Sequence, residues 1–242
     1  MSAGTSPTGS FKKMVKDVPL LARAVRKFAE FPLFSGAQRR AFPGSAAFWE
    51  KRYRDGGNSG SGSYGRVAAF KAEVLNDFVR TKEVRNVIEF GCGDGAQLQL
   101  AKYPEYVGID VATVPIQICS RRFTNDQTKR FYLSSSVPPD LGPFDLALSL
   151  EVIFHLVEDA VFDSYMRALF AASGRFVAIF SSNYEAQTSG AHVRHRRFTD
   201  WISQDAPSWE SMGVVPNRFP FDPNRPNDTS FSDFYFFARR RS

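Results

Sequence analysis

The sequence predicts a doubly wound α/β fold in which a parallel sheet ends in an antiparallel C-terminal strand pair. Three observations lead to this prediction. A short apolar strand pattern, Asn86–Phe90, breaks into a turn of alternate glycines. Strand and helix patterns then alternate along the chain, which is typical of a parallel sheet covered by helices. Two last strand patterns, at 210–216 and 231–238, flank a Pro- and Asn-rich stretch. The seven predicted strands form one sheet, and helices precede it.

The segment ahead of the sheet is predicted to be an extension of the main domain. Residues 1–10 are expected to be disordered, residues 11–66 to form a helical lid or extension, and residues 67–242 the domain itself. Over 11–31, apolar residues recur at near-helical spacing between lysines and arginines. Such a basic amphipathic helix packs on the domain as a lid or oligomer contact, which we favour, or lies on an anionic membrane surface. Homo-oligomer formation and peripheral membrane contact are therefore both kept as expectations.

A Gly- and Ser-rich loop at 56–65 follows a short aromatic helix pattern. Tyr53, Tyr64 and Arg66 bracket this loop, and a helix predicted at 67–79 leads from it to the glycine strand. We expect the loop to close over a ligand and to exclude water from it.

The remaining elements follow in order. Strands are predicted near 106–110, 130–133, 144–149 and 176–181, and helices near 96–102, 114–123, 160–172 and 199–206.

The glycine turn itself indicates a nucleotide-like cofactor. Gly91, Gly93 and Gly95 lack a Cβ, so the turn can adopt unusual backbone angles and let a ligand lie against bare peptide. A strand, a glycine turn and a helix N-terminus together suit such a ligand. Gly91, Gly93 and Ala96 also satisfy the dinucleotide fingerprint, so the turn alone leaves two cofactors open.

Glu89 precedes the first glycine by two residues and completes the pattern Glu89-x-Gly91-x-Gly93-x-Gly95. This pattern resembles the first motif of class I S-adenosylmethionine-dependent methyltransferases, and the resemblance covers roughly residues 47–238. It implies a Rossmann-like sheet and S-adenosylmethionine as the cofactor. In that family the acidic residue and the turn face the methionine half of the cofactor, and here Cys92 is the small residue within the turn.

Asp110 closes the second strand pattern and is predicted to bind the ribose. A carboxylate there can accept both hydroxyl protons, and Val111 follows it in the same subsite. The alternative is that Asp110 caps the next helix, but Thr113 is nearer and better placed for that role.

The fourth strand pattern reads FDLALSLEVIFH and resembles the fourth motif of small-molecule methyltransferases. The resemblance implies that Ser149 and Leu150 lie by the methionine portion and that Glu151 lies at the pocket edge, where substrate binds. The Asp/Asn-Pro-Pro-aromatic signature of enzymes that methylate amino groups of bases is missing. After the third strand the chain has serines where many members have an acidic adenine contact, and Ser135 is our candidate for that contact.

Three histidines are candidates for catalysis because their intrinsic pKa near 6.5 suits a base. His155 lies just beyond the fourth strand, where open α/β sheets bind ligands. Its alternative role is to cap or pack against the following helix. His192 and His195 alternate with Arg194 and Arg196, which favours an anionic acceptor held by arginine forks. A shared metal ion is disfavoured by the neighbouring cations, so no metal is predicted, and a solvated loop is the remaining alternative.

Composition limits the function classes. The chain has 242 residues, 43% hydrophobic and 23% charged, which is ordinary for a globular domain. No apolar run approaches the roughly 20 residues of a membrane span, and the first ten residues lack the apolar core of a signal peptide. Two cysteines make a disulfide framework improbable, so a reducing, cytoplasmic location is expected. The net charge of +6 comes largely from the two ends of the chain, so nucleic acid is not the favoured partner.

Together these features predict an S-adenosylmethionine-dependent methyltransferase that O-methylates a small polar or anionic metabolite, a sugar or a glycan. The alternatives are N-methylation of a small amine, a non-catalytic S-adenosylmethionine-binding or RNA-associated protein, and a nicotinamide dehydrogenase.

Overall fold

The structure is a computed structural model that describes residues 42–187 and 191–240. The predicted disorder at 1–10 and the predicted basic helix at 11–31 lie outside the described residues. Within the described ranges, no helix is long and apolar enough to cross a membrane.

Five α-helices and nine strands make up the described part of the chain. The helices are α1 Ser45–Arg54, α2 Gly65–Thr81, α3 Thr113–Arg122, α4 Asp159–Ala171 and α5 Phe198–Asp205. The strands are β1 Asn86–Phe90, β2 Glu105–Asp110, β3 Lys129–Leu133, β4 Phe144–Leu150, β5 Ser173–Ser181, β6 Ala186–Gln187, β7 Arg194–His195, β8 Trp209–Val215 and β9 Asp233–Arg239. Short 3₁₀ turns occur at Ser61–Ser63, Leu98–Leu100, Ser134–Ser136 and Ile153–His155.

Seven strands form one sheet in the order β3-β2-β1-β4-β5-β9-β8. The first five in this order are parallel, whereas β9 runs antiparallel to both β5 and β8. The predicted seven-stranded, Rossmann-like sheet with its reversed C-terminal pair is therefore confirmed. The sequence did not predict the short β6–β7 pair, which forms a separate two-stranded ribbon.

Helices cover both faces of the sheet and bury a core on each. On one face α4 and α5 pack against the strands through residues such as Met166 and Phe198, and on the other α2 contributes Phe70 and Leu75. All seven residues of β4 are buried, which explains its nearly continuous apolar pattern, because a central parallel strand has no solvent face.

The prediction of a helix at 96–102 is wrong, because only the 3₁₀ turn Leu98–Leu100 forms there. Asn76 of α2 explains the difference. Its side chain donates to Leu100 O at 3.0 Å and accepts from Lys102 N at 2.7 Å, so these backbone groups bond α2 instead of continuing a helix. Pro104 also disfavours helical backbone at Tyr103.

Candidate active site

The glycine turn lies at the carboxyl end of β1 and needs its glycines for backbone conformation. Gly91, Gly93 and Gly95 have φ values of +79°, +56° and +75°, a region that L side chains rarely adopt. The N–H groups of Gly91 and Cys92 both donate to Ile109 O, at 2.7 and 3.1 Å. The turn is thereby fixed against the end of β2, where Asp110 lies.

Asp94 within the turn holds the Gly- and Ser-rich loop in place. Tyr64 Oη donates to Asp94 Oδ2 at 2.5 Å, and the Asp94 N–H donates to Ser59 Oγ at 2.9 Å. Arg122 of α3 donates to Asp94 O at 2.7 Å. Tyr64 therefore contacts the turn rather than a ligand cavity, and Asp94 is a residue that our sequence reasoning missed.

Helix α1 lies across the carboxyl edge of the sheet and is bonded at two points. At its start, Ser45 N donates to Glu158 Oε1 at 3.1 Å, and Ser45 Oγ lies 2.6 Å from Glu158 Oε2 and 2.7 Å from His155 O. One turn further on, Glu50 accepts from Thr113 N at 2.7 Å. The helix thus bridges the segment after β4 and the start of α3.

A cavity of about 300 Å³ lies beneath α1, between the glycine turn and the ends of β2 and β4. The predicted site residues that line it are Tyr53, Glu89, Gly91, Cys92, Gly93, Asp110, Val111, Leu150, Glu151 and His155. The predicted site residues that do not line it are Tyr64, Arg66, Gly95, Ser135, Ser149, His192, Arg194, His195 and Arg196.

Asp110 is buried and accepts from two backbone groups, Gly93 N at 3.0 Å and Ala112 N at 2.9 Å. Burial raises the pKa of its carboxyl to about 6, although these N–H donors partly offset the effect. The expectation that Thr113 caps the next helix is wrong. The N-cap is Ala112, the helix starts at Thr113, and no side chain caps it.

Glu89 is buried on β1 and accepts from Tyr106 Oη at 2.6 Å. Burial raises the pKa of this carboxyl to about 7, and the Tyr106 bond and the charge of Lys71 counteract part of that rise. Glu89 and Asp110, the two buried carboxylates that line the cavity, therefore lack the solvation that would hold their pKa values in the usual range.

Lys71 of α2 is 1% exposed and lines the cavity, and sequence reasoning did not find it. Its Nζ lies 2.9 Å from Glu151 Oε2, while Ser230 Oγ donates to Glu151 Oε1 at 2.5 Å. Glu151 has a φ of +60°, which is strained for a residue with a side chain. Lys71 is the only lysine or arginine among the described residues that line the cavity.

Gln97 is a second cavity residue that sequence reasoning missed. Its Nε2 donates to Ala68 O at 3.1 Å, but its buried Oε1 has no hydrogen-bond partner. An unpartnered buried amide oxygen in a ligand-sized cavity suits a bound group that carries a donor.

His155 lines the cavity, and its tautomer follows from its partner. Its Nδ1 lies 3.0 Å from His192 O, and because a carbonyl only accepts, Nδ1 carries the proton and Nε2 the lone pair. Burial lowers the pKa of His155 to about 4, so the ring is neutral at pH 7. The ring of Trp49 contacts it edge-on at 4.9 Å.

The histidine- and arginine-rich segment lies beside the cavity rather than in it. His192 stacks on Phe48 and on His155, with centroids 4.5 and 5.6 Å apart. Arg194 and Arg196 both pair with Asp159, at 2.9 and 2.5 Å. The structure therefore corrects the expectation that these guanidinium groups face an anionic acceptor.

The other predicted residues outside the cavity have structural partners or lie at the surface. His195 Nδ1 lies 2.6 Å from Ser182 Oγ in a buried position. Arg66 donates to Asp228 O, and Ser149 accepts from Tyr165 at 2.7 Å. Ser135 is exposed. Among the described residues no group of three metal-ligating side chains occurs.

The structure combines the strand order of its sheet with a glycine turn after β1 and buried carboxylates beside the turn. This combination defines a class I S-adenosylmethionine-dependent methyltransferase. A family profile described as a methyltransferase domain matches residues 64–212, and the chain belongs to this family. Its cofactor is S-adenosylmethionine. No curated protein matches the chain significantly in sequence.

Several solved structures share the fold at low identity. Magnesium protoporphyrin IX methyltransferase from Synechocystis PCC 6803 with bound SAH is 14% identical, with a TM-score of 0.56, covering 83% of this chain and 97% of that one. N-methyltransferase NodS from Bradyrhizobium japonicum WM9 with S-adenosyl-L-homocysteine is 13% identical, with a TM-score of 0.55, covering 91% and 99%. The methyltransferase domain of bacterial CtHen1 is 16% identical, with a TM-score of 0.56, covering 72% and 98%. At these identities the likeness concerns the fold.

Proposed function

We propose that this enzyme methylates a hydroxyl group of a small organic acceptor and that His155 accepts the hydroxyl proton. The observation that carries the proposal is the position of His155. The residue lines the cavity, and its Nδ1–H is engaged by His192 O, so the lone pair of Nε2 is left for a second partner. A hydroxyl holds its proton tightly near neutral pH, so a base beside it speeds transfer.

The residues of the cavity fit the cofactor. Asp110 would accept the ribose hydroxyl protons, as carboxylates at this position of such folds do. Glu89 and the unpartnered oxygen of Gln97 offer acceptors for the ammonium group, and Lys71 offers a cation for the carboxylate of the amino-acid end. When bound, S-adenosylmethionine would supply a methyl group activated by its positively charged sulfur.

The protein's own contribution is mainly alignment, water exclusion and proton acceptance. Helix α1 with Trp49 and Tyr53 covers the cavity, which keeps water from the reacting groups. The low pKa of His155 keeps the ring in its base form but limits the driving force for proton transfer. We therefore place its contribution at the lower end of general base catalysis, about 100-fold.

The test compares His155→Gln and His155→Ala with the wild type. Acceptors are matched pairs of hydroxyl and amine compounds, and release of S-adenosylhomocysteine is measured. With the best hydroxyl acceptor we expect kcat to fall about 100-fold in both variants. Affinity for S-adenosylhomocysteine should stay unchanged, and added imidazole should restore activity to His155→Ala.

An unaltered kcat in His155→Gln would exclude this residue as the base. Turnover of the amines alone, insensitive to His155, would instead identify an N-methyltransferase, because a neutral amine needs no base.

A further inference from the structure

Five aromatic side chains contact one another in a series that begins beside His155 and ends in exposed rings, with the buried ring of His195 between the two ends. This series, here named the aromatic wall, consists of Phe154, Tyr184, His195, Phe221 and Phe231. The centroid of the Phe154 ring lies 4.6 Å from that of His155 and 5.9 Å from that of His195. His195 in turn lies 4.7 Å from Tyr184 and 5.2 Å from Phe231, and Phe221 stacks on Phe231 at 3.8 Å.

The outer rings of the aromatic wall are unusually exposed for their size. Tyr184, Phe221 and Phe231 keep 39%, 40% and 43% of their surface accessible. Clustered exposed aromatic side chains are typical of a ligand-binding surface, and this cluster is linked to the cavity residue His155 through the ring of Phe154.

The cavity is too small to hold the acceptor together with the cofactor. At about 300 Å³ the cavity lies at the lower limit of small-molecule sites, so the cofactor alone takes up its space. The acceptor must then bind beside the cavity, and the aromatic wall meets the cavity residue His155 through Phe154.

The rings of the aromatic wall carry no charge themselves, which favours a neutral ligand. Arg194 and Arg196, which flank His195, are both paired with Asp159. His195 is itself buried, bonded to Ser182 Oγ, and its pKa is lowered by burial, so the ring is uncharged at pH 7.

We propose that the aromatic wall binds the acceptor and that the acceptor is a neutral, planar aromatic compound that carries the reactive hydroxyl. This inference rests on the proposed function for the reactive group, whereas ring recognition is separate from the chemistry. Flat rings stack on or meet the edges of Tyr184 and Phe231, and each such contact changes affinity by about two- to tenfold.

The experiment measures binding by calorimetry with the protein saturated with S-adenosylhomocysteine. The probes are 2-naphthol and its saturated counterpart decahydro-2-naphthol, which differ in planarity and aromatic character but carry the same hydroxyl. We expect 2-naphthol to bind about tenfold more tightly. In the double variant Tyr184→Leu/Phe231→Leu this preference should fall to about twofold or less. Val214→Ala, which shortens an exposed apolar side chain on β8, should retain it.

Equal affinity of the two probes for the wild type, binding of neither, or an unaltered preference in the double variant would overturn the inference. Unchanged affinity for S-adenosylhomocysteine shows that the double variant is folded. Because no methyl transfer is measured, a failure of His155 as the base would leave this result intact, and the converse also holds.

Discussion

At the scale of single residues, some of the residues that line the cavity belong to recognisable sequence motifs. Others are brought to the cavity only by folding. Glu89, the glycines and Asp110 could be predicted because they occupy one short strand and turn and the end of the next strand. Lys71 and Gln97 could not, since the first is an ordinary lysine within a helix pattern and the second an ordinary glutamine after the turn. Their roles depend on burial and on partners far along the chain, such as Glu151 for Lys71.

Lys71 provides a prediction at this scale. If its ammonium group binds the cofactor carboxylate, Lys71→Met should weaken S-adenosylhomocysteine binding by about 10- to 100-fold, the value of a charge-assisted hydrogen bond. The same variant should bind S-adenosyl-3-thiopropylamine, which lacks only the carboxylate, within about threefold of wild type, a limit set well below the value of that bond. Isothermal titration calorimetry measures both affinities.

The matched control is Lys129→Met. This second largely buried lysine donates to Tyr103 O, outside the cavity, and its removal should leave both affinities unaltered. An equal loss of affinity for both ligands in Lys71→Met would show that Lys71 supports the fold and does not bind the cofactor carboxylate.

At the scale of elements, the strands and their order could be predicted because a central parallel strand is apolar on both faces, as in β4. The helix predicted after the glycine turn failed because Asn76 bonds its backbone groups, a contact between segments 24 and 26 residues apart. A lid was predicted both for the helical segment 11–66 and for the loop at 56–65, and in the described residues α1 supplies most of the cover. The helix is held there because Ser45 and Glu50 bond elements that follow much later in the chain.

Helix α1 should unfold locally more readily when the contact between Ser45 and Glu158 at its N-terminus is removed. Glu158→Gln deletes the charge that bonds Ser45 N and Oγ at the helix N-terminus, where a cap is worth about 1 kcal/mol. We expect amide exchange within 45–54 to accelerate about fivefold, as measured by hydrogen–deuterium exchange with mass spectrometry. Asp163→Asn removes an exposed ion pair elsewhere on α4 and serves as the control, with exchange in α1 unaltered. Equal exchange in wild type and Glu158→Gln would mean that this contact does not hold the lid.

At the scale of the whole molecule, the fold is that of many methyltransferases, while two buried carboxylates couple its ligand binding to pH. Burial raises the pKa values of Glu89 and Asp110 to about 7 and about 6. Because the folded state binds these protons more tightly than the unfolded chain does, they stabilise the folded protein at low pH. That contribution decreases as the pH rises through 6 and 7.

Cofactor binding should follow the opposite trend. An ammonium group and ribose hydroxyls need ionised acceptors, so affinity for S-adenosylhomocysteine should fall by about tenfold or more between pH 8 and pH 5.5. Calorimetry at pH 6.5 in buffers of different ionisation enthalpy should detect proton release on binding. Asp145→Asn, which alters a buried carboxylate outside the cavity, should leave the pH dependence in place. Constant affinity over this range would show that neither carboxylate contacts the ligand.

Gly62 of the loop lies against the Glu151 carboxylate, and this close approach limits which residues can occupy the two positions. A Cβ at position 62 would lie 1.8 Å from Glu151 Oε2. Only glycine therefore fits at position 62 while the Glu151 carboxylate keeps its present position. A relative with a side chain at 62 would need the carboxylate at 151 to move or the residue there to be shorter, and in either case Lys71 and Ser230 would lose their common partner. Four positions spread over three separate regions of the chain should therefore change together among relatives or not at all.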